Sequence, residues 1–324
     1  NISFITLCIL SNTVNNIFQY KLFRARKKWL FLIKEKKDLI DKIDINNDLK
    51  KILLIKNHRS INKLNIQNFQ GIICDKDLLE NKLFNENINQ NIVLITIQDW
   101  FKNYNERIPV EILNSELEEL IKAKFSSNKL YFNFFLKRFF ELIFTLIFLF
   151  IFSPLLIIAS ILIYLEDRGP IFYSQKRVGK NGEEFTIWKL RSMKVNAEKH
   201  GIRWASKNDK RVTKVGRLLR KTRVDELPQL IAVLEGKMNL IGPRPERREF
   251  EELISKEINY YSLRGLIKPG ITGWAQVNYP YGASINDSKN KLSYDLYYLC
   301  NYSFLIDVLI FFKTIRLVLN ARGS

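Results

Sequence analysis

"LIFTLIFLFIFSPLLIIASILIYL", Leu142 to Leu165, decides what kind of chain this is. It carries no charge anywhere. As a helix rising ~1.5 Å per residue it would reach roughly 36 Å, enough to cross a bilayer. The rest of the 324-residue chain is polar, and a mean hydropathy of −0.12 excludes a polytopic membrane protein. Ser153–Pro154 sit at the centre of the run. Proline removes an amide donor and clashes with the preceding turn, so a kink or break is expected there. The Ser153 hydroxyl can satisfy a freed carbonyl. Each half, about 16 Å long, is too short to cross alone. Lys137–Arg138 precede the run, and Lys176, Arg177 and Lys180 follow it. A straight span would put one strongly basic side outside, against the positive-inside tendency. The flanks therefore predict a re-entrant helix over 139–165, broken at Ser153 and Pro154, with both ends on the cytoplasmic face.

Upstream, the apolar runs "WLFLI" (29–33), "ILLI" (52–55), "GIIC" (71–74) and "IVLIT" (92–96) alternate with "KEKKDLIDKI" and "KDLLENKLF", which have helical spacing. That alternation predicts an α/β accessory domain with a largely parallel sheet over 27–130. Nucleotide-binding units of this kind carry a Gly-rich first turn, and here "IKEKKD" takes its place. The unit reads as Rossmann-like but degenerate, with cofactor binding as the alternative. The run "ISFITLCIL" (2–10) has no basic region before it in this sequence and does not read as a signal peptide. Residues 1–26 are expected to be the end of an upstream membrane region and a linker.

Lys and Arg total 52 against 33 acids, a formal net charge of +19, which points to polyanionic partners. Charge alone would allow nucleic acid, but the membrane run and the lack of any recognised DNA or RNA motif argue against it. Cys8, Cys74 and Cys300 lie far apart, which fits a reducing compartment without disulfides or a zinc site. With only His58 and His200 present, histidine-centred triads and metal sites have little support.

Between Lys207 and Arg223 stand eight basic residues and one acid, Asp209. The pattern from Thr213 to Glu235 reads as helical. It puts Lys210, Lys214, Arg217 and Lys221 on one face and Val212, Val215, Leu218 and Leu219 on another. Such a basic face can meet anionic lipid, hold substrate phosphates or simply be solvated. Then comes "KTRVDELPQL" (221–230), with Asp225 and Glu226 adjacent. On a helix they diverge by about 100°, yet both can reach one divalent ion or pocket edge at a helix start. An aspartate there can attack phosphorus, provided Mg²⁺ or arginine neutralises the phosphate. Arg220 lies just upstream, and Arg244 sits in the proline-stiffened "GPRPE". Taken alone, the acid pair also reads as a solvated face. The closing stretch "YDLYYLCNYSFLIDVLIFFKTIRLVL" is amphipathic and interrupted by Asp307, Lys313 and Arg316. It is expected to lie on a membrane interface or to pack as core helices.

Four segments, "KLRSM" (189–193), "LRKTRVDELPQL" (219–230), "LEGKMNLIGPRPE" (234–246) and "KPGITGWAQVNY" (268–279), follow the Ser-Pro helix in fixed order. From about Asn133 to Leu319 the chain resembles the bacterial sugar transferase family, the monotopic polyprenyl-phosphate phosphoglycosyl transferases that begin exopolysaccharide and glycan assembly. The resemblance implies a mainly helical α+β monotopic domain over 131–324, held at the cytoplasmic face of the bacterial inner membrane by the re-entrant helix and in contact with lipid. An oligomer is compatible with it. It implies a nucleoside diphosphate sugar, a UDP-sugar, as donor and undecaprenyl phosphate as acceptor. Asp225 would take the sugar-phosphate covalently in a ping-pong reaction, with Mg²⁺ held by Asp225 and Glu226. Glu226 would assist through that ion or by handling protons, and Arg220 and Arg244 would bind substrate phosphates. Some family members continue the last motif as Val-Asn-Gly-Arg-Asn, whereas this chain has "VNYPYGAS" (277–284), so the donor contact of that arginine is missing. The alternative reading is a catalytically inactive membrane adaptor in glycan assembly.

Overall fold

The computed structural model describes residues 28–32, 69–74, 79, 92–127, 130–197, 199, 209–280, 282 and 284–319. The chain divides into two compact units, Asn1–Ile112 and Leu113–Ser324.

In the first unit three apolar runs become strands: β1 (Lys28–Leu32), β2 (Phe69–Cys74) and β3 (Val93–Thr96). They pair in parallel in the order β1-β2-β3. Leu30, Ile72, Ile73 and Cys74 are fully buried, the burial that lets parallel strands be apolar without alternation. Thr96 caps the short helix α1 (Ile97–Trp100) by accepting from the Asp99 amide. The fourth expected strand (52–55) and, except for Leu79, the two expected helices lie outside the described residues.

The second unit begins with α2 (Ser115–Ser126), earlier than the boundary at 130 expected from sequence. Lys124 explains its membership. Its ammonium donates to the carbonyls of Leu299 and Cys300, at the C-terminal end of a helix, where a cation is favoured.

The apolar run forms one helix, α3 (Tyr131–Asp167), longer at both ends than 139–165 and continuous through Pro154. The expected break is absent because the orphaned acceptor is satisfied locally: the Ser153 hydroxyl donates to the Phe150 carbonyl at 2.8 Å. That carbonyl is the one Pro154 cannot serve.

Both ends of α3 are fixed to this same unit. Near its start Lys137, Glu141 and Thr145, four residues apart, form a buried stripe. The Lys137 ammonium meets Asp307 Oδ2 at 2.8 Å, the Tyr298 hydroxyl at 3.0 Å and the Ile241 carbonyl at 2.7 Å. Arg138 donates to the carbonyls of Val233 and Leu234. These two cations, read from sequence as flanking charges for topology, are thus spent on anchoring. Near its end Ala159 and Ile163 join a core with Leu190, Leu219 and Val224. Between the two anchors, residues 146–158 have no buried side chain.

The remainder is compact. Strands β4 (Phe172–Val178) and β5 (Glu184–Leu190) form an antiparallel hairpin with Phe172 opposite Leu190. Helix α4 (Lys214–Thr222), the short α5 (Leu230–Leu234) and strand β6 (Asn239–Ile241) follow. Next come α6 (Arg248–Glu257) and β7 (Gly270–Thr272), which pairs in parallel with β6. The helices α7 (Trp274–Asn278), α8 (Ile285–Cys300) and α9 (Phe304–Leu319) close the unit. The closing aromatic stretch is therefore two helices. In α9, Asp307 is buried against Lys137, and Lys313 lies 4.1 Å from the Trp274 ring centroid. Phe304 and Phe311 pack on Phe140 and Phe144 of α3, while Leu305, Leu309, Phe312 and Ile315 form an exposed apolar stripe.

Candidate active site

The acid pair is not on a regular α-helix. Thr213 caps α4 by accepting from the Gly216 amide. Gly216 also lets the helix press onto the preceding segment, since a Cβ there would overlap the Ser192 carbonyl. The helix ends at Arg223, whose φ of 60° is left-handed. A 3₁₀ turn, Val224–Gln229, follows and contains Pro228. The stretch from Thr213 to Glu235, whose pattern reads as helical, is thus helical in three pieces: the left-handed Arg223 stops α4 and re-aims the chain. As a result Asp225 and Glu226 both turn inward, with residue exposures of only 7% and 8%.

Glu226 is surrounded by cations. Its Oε1 accepts from Arg244 Nη2 at 2.6 Å and Lys189 Nζ at 2.9 Å, and its Oε2 lies 3.6 Å from Arg223 Nη1. Burial opposes its ionisation, but Arg244, then Lys189, and Arg223 hold it well below the usual carboxylate range. Burial in turn lowers the Lys189 ammonium, an effect countered by Glu226. Asp225 differs. Its Oδ1 has no hydrogen-bond partner among the described residues. Burial, and next the charge of Glu226, push its carboxyl upward, tempered by Lys189, Arg220 and Arg223. Two neighbouring carboxylates are thus driven apart: one is locked as an anion in a cation cage, and the other is more basic with an oxygen to spare. That combination suits a nucleophile meeting a phosphate, because the surrounding cations offset the charge the substrate brings.

Arg244 is delivered by the loop after β6. Its Nη1 donates to Gln276 Oε1 at 3.1 Å, so the guanidinium bridges Glu226 and α7. Glycines make the loop's seat: a Cβ at Gly270 would overlap the Gly242 amide. Arg220 stands one step back. Its Nε donates to Ser192 Oγ at 2.8 Å, and it reaches Asp225 through its field. The structure therefore gathers Asp225, Glu226 and Arg244 directly and Arg220 at the edge. Ser153 and Pro154 belong to α3 and form no part of this cluster. Sequence reasoning missed Lys189, Arg223 and Gln276. Lys189 and Gln276 lie in motifs quoted for their order, and residue alternation along β5 would have paired Lys189 with the inward-facing Ile187.

A divalent ion would find one fitting donor here, the spare oxygen of Asp225, which is of the hard carboxylate type that Mg²⁺ takes. The Glu226 oxygens already face three cations and do not fit that role. Among the described residues no three His, Cys, Asp or Glu side chains converge as a metal site. An ion bound at Asp225 would draw most of its shell from substrate phosphate and water.

Comparison with known proteins places these residues in context. A family model described as bacterial sugar transferase matches residues 132–321. The chain is 47% identical over 190 residues to a UDP-N-acetylgalactosamine-undecaprenyl-phosphate N-acetylgalactosaminephosphotransferase of Aeromonas hydrophila, covering 59% of this chain and 45% of that protein. It is 37% identical over 210 residues to a UDP-glucose:undecaprenyl-phosphate glucose-1-phosphate transferase of Escherichia coli (strain K12), covering 63% and 45%. It is 37% identical over 205 residues to an undecaprenyl-phosphate galactose phosphotransferase of Salmonella typhimurium, covering 59% and 42%. The match thus spans under half the length of each of these relatives.

Proposed function

The chain belongs to the bacterial sugar transferase family, and from that premise we propose that it transfers a sugar-1-phosphate from a UDP-sugar to undecaprenyl phosphate. In the first half-reaction an Asp225 carboxylate oxygen attacks the β-phosphorus of the donor. The bond from that phosphorus to the bridging oxygen breaks, and the nucleoside monophosphate leaves with that oxygen. The sugar-phosphate stays on Asp225 as an acyl phosphate. In the second, a phosphate oxygen of undecaprenyl phosphate attacks the same phosphorus, and the Asp225 carboxylate departs unchanged. The product is the lipid-linked diphosphate sugar.

The observation that carries this reading is the division of labour in the acid pair. Asp225 Oδ1 is unpartnered, while Glu226 beside it is held by Arg244, Lys189 and Arg223. Glu226 fixes those cations where a diphosphate would arrive. Arg244 has a planar fork suited to phosphate oxygens, and Arg220 adds positive field at Asp225. Mg²⁺, held by Asp225 together with the donor's phosphates, would supply further charge neutralisation. Substrate entry must displace part of the Arg244–Glu226 contact, which a half-exposed arginine can do at modest cost.

The acceptor's phosphate lies at head-group depth, so the site has to sit at the interface. Both ends of α3 are anchored on the unit that carries the acid pair, and one soluble unit cannot occupy both sides of a bilayer. That supports a re-entrant α3 that enters one leaflet and returns by bending at Ser153–Pro154 while staying helical, with the catalytic unit on the cytoplasmic face. The exposed stripe of α9 and the exposed Leu218 among Lys214, Arg217 and Lys221 suit the same boundary. The test is to incubate membranes containing the protein with undecaprenyl phosphate and a panel of UDP-sugars. Release of UMP together with a lipid-linked sugar diphosphate is expected for one or more donors. No release from any of them contradicts the proposal.

A further inference from the structure

The loop carrying Arg244 has an unusual support. Proline on both sides leaves Pro243 and Pro245 without amide donors, so the loop is held mainly by its carbonyls. Three successive ones accept from three different elements. Pro243 O accepts from the Gly270 amide at 2.9 Å, Arg244 O from Arg264 Nη2 at 2.7 Å, and Pro245 O from Arg177 Nη1 at 3.2 Å. Pro243 and Pro245 are buried, and the back of the loop faces an open cleft lined by Val178, Pro243, Arg264 and Ile267, so the carbonyl bonds act together with the packing of the two prolines.

Arg264, in the 3₁₀ turn Tyr261–Leu266, is itself pinned. Its guanidinium lies 4.9 Å from the Tyr261 ring centroid and donates to that residue's hydroxyl. Its Nη2 is 3.2 Å from Asp295 Oδ2 on α8, and the two side chains are 10% and 3% exposed. We propose that the buried Arg264–Asp295 pair is a positioning device: Asp295 orients Arg264, and Arg264 holds the main chain at Arg244 so that the Arg244 fork stands opposite the donor's phosphates. This rests on the reading of Arg244 as a phosphate ligand given above.

The pair has a titration of its own. Burial pushes the Asp295 carboxyl up to about 6, against the lowering effect of Arg264. The other charged groups facing it are Glu246 of the Arg244 loop and Lys291 of its own helix. Tyr261 and Glu251 face Arg264 from the turn and from α6. Above that pH Asp295 is an anion and the hold is complete. Below it Asp295 is protonated, the guanidinium loses its nearest counter-ion, and its hold on the Arg244 carbonyl weakens while the bonds to Pro243 and Pro245 remain.

The test uses the full chain in membranes, the UDP-sugar that the wild type turns over, and UMP release as readout. R264K keeps the charge but loses the fork. It should lower kcat/KM for the donor by about tenfold to a hundredfold, as misplacing a phosphate ligand does. Because Arg264 acts through Arg244, R244K/R264K should be no worse than R244K alone. D295N should lower kcat/KM at pH 7.5, and the ratio of wild type to D295N should fall towards one as pH drops through about 6, whatever acid limb Asp225 gives to both. Losses from R264K and R244K that multiply, an R264K enzyme as good as wild type, or a wild-type to D295N ratio that stays unchanged from pH 7.5 to well below 6 would each overturn the assignment. Should D295N fail to fold, the R264K and R244K comparison decides alone. A wild type that turns over no UDP-sugar counts instead against the transfer reaction itself.

Discussion

Glu226→Gln isolates the charge at the centre of the cation cage while keeping its shape. In the wild type, Glu226 Oε1 lies 2.6 Å from Arg244 and 2.9 Å from Lys189, with Arg223 3.6 Å from Oε2. The amide oxygen of glutamine can still accept one of these bonds. Lys189 would nevertheless lose its anion in a largely buried setting and Arg244 in a half-exposed one, and the new NH₂ group would face Arg223. A unit-charge pair ~4 Å apart is worth about 4 kcal/mol at an effective dielectric of ~20. The desolvation already incurred by the wild-type ions cancels part of the combined gain. A net loss of about 3 kcal/mol follows, roughly 6–12 °C in Tm for a unit of this size. The pH dependence has a fixed sign. Glu226 is depressed in the folded protein, so its contribution is fully present above the unfolded value of 4.5 and is lost as pH falls towards the folded value. Thermal unfolding in nanodiscs, followed by tryptophan fluorescence, reads both features. The gap between wild type and E226Q should be constant from pH 7 to about 5 and close below about 4.5. An E226Q protein that melts with the wild type at pH 7, or a gap that persists unchanged well below pH 4.5, would refute the cage.

Other outcomes follow from the same structure. Lys137→Met leaves Asp307 buried without its 2.8 Å partner and should cost about 3–5 kcal/mol, seen as a lower Tm. Adding Asp307→Asn should recover part of that, and a K137M protein as stable as wild type contradicts the anchor. Excess chelator should stop UMP release and added Mg²⁺ should restore it, whereas full activity in chelator excludes the ion from the reaction. Single cysteines at the exposed residues 131 and 170 should both react with an impermeant thiol reagent from the cytoplasmic side. Labelling from opposite sides means that α3 crosses.

What the sequence displayed and what it hid divide along a physical line. The uncharged run, the basic stretch and the acid pair are local signals: the run forms one helix, and the acid pair lies among cations. The Ser153–Pro154 pair was legible as a dipeptide, and so was the hydroxyl-to-carbonyl bond; of the kink or break expected there, a break does not occur, since the chain stays helical through the pair. The stop at Arg223 carries no glycine or proline of its own, so nothing nearby announced its left-handed backbone. Pro228 further on was the faint clue. Contacts across long sequence distance were invisible, as between Lys137 and Asp307 or Lys189 and Glu226. No periodicity encodes which strand faces which turn. The apparent interruption of the last helix by Asp307 illustrates this well: the charge that suggested an interfacial face is the buried partner of a lysine in the membrane helix.

The covalent role of Asp225 is tested most directly by trapping. Membranes holding the wild type are given a UDP-sugar without acceptor, digested, and the peptide containing Asp225 is weighed by mass spectrometry. The account predicts a mass increase equal to one sugar-phosphate on that peptide, lost when undecaprenyl phosphate is added and absent in D225N. An enzyme that turns over donor at full rate yet never carries the adduct, or a D225N protein that still transfers, would contradict it.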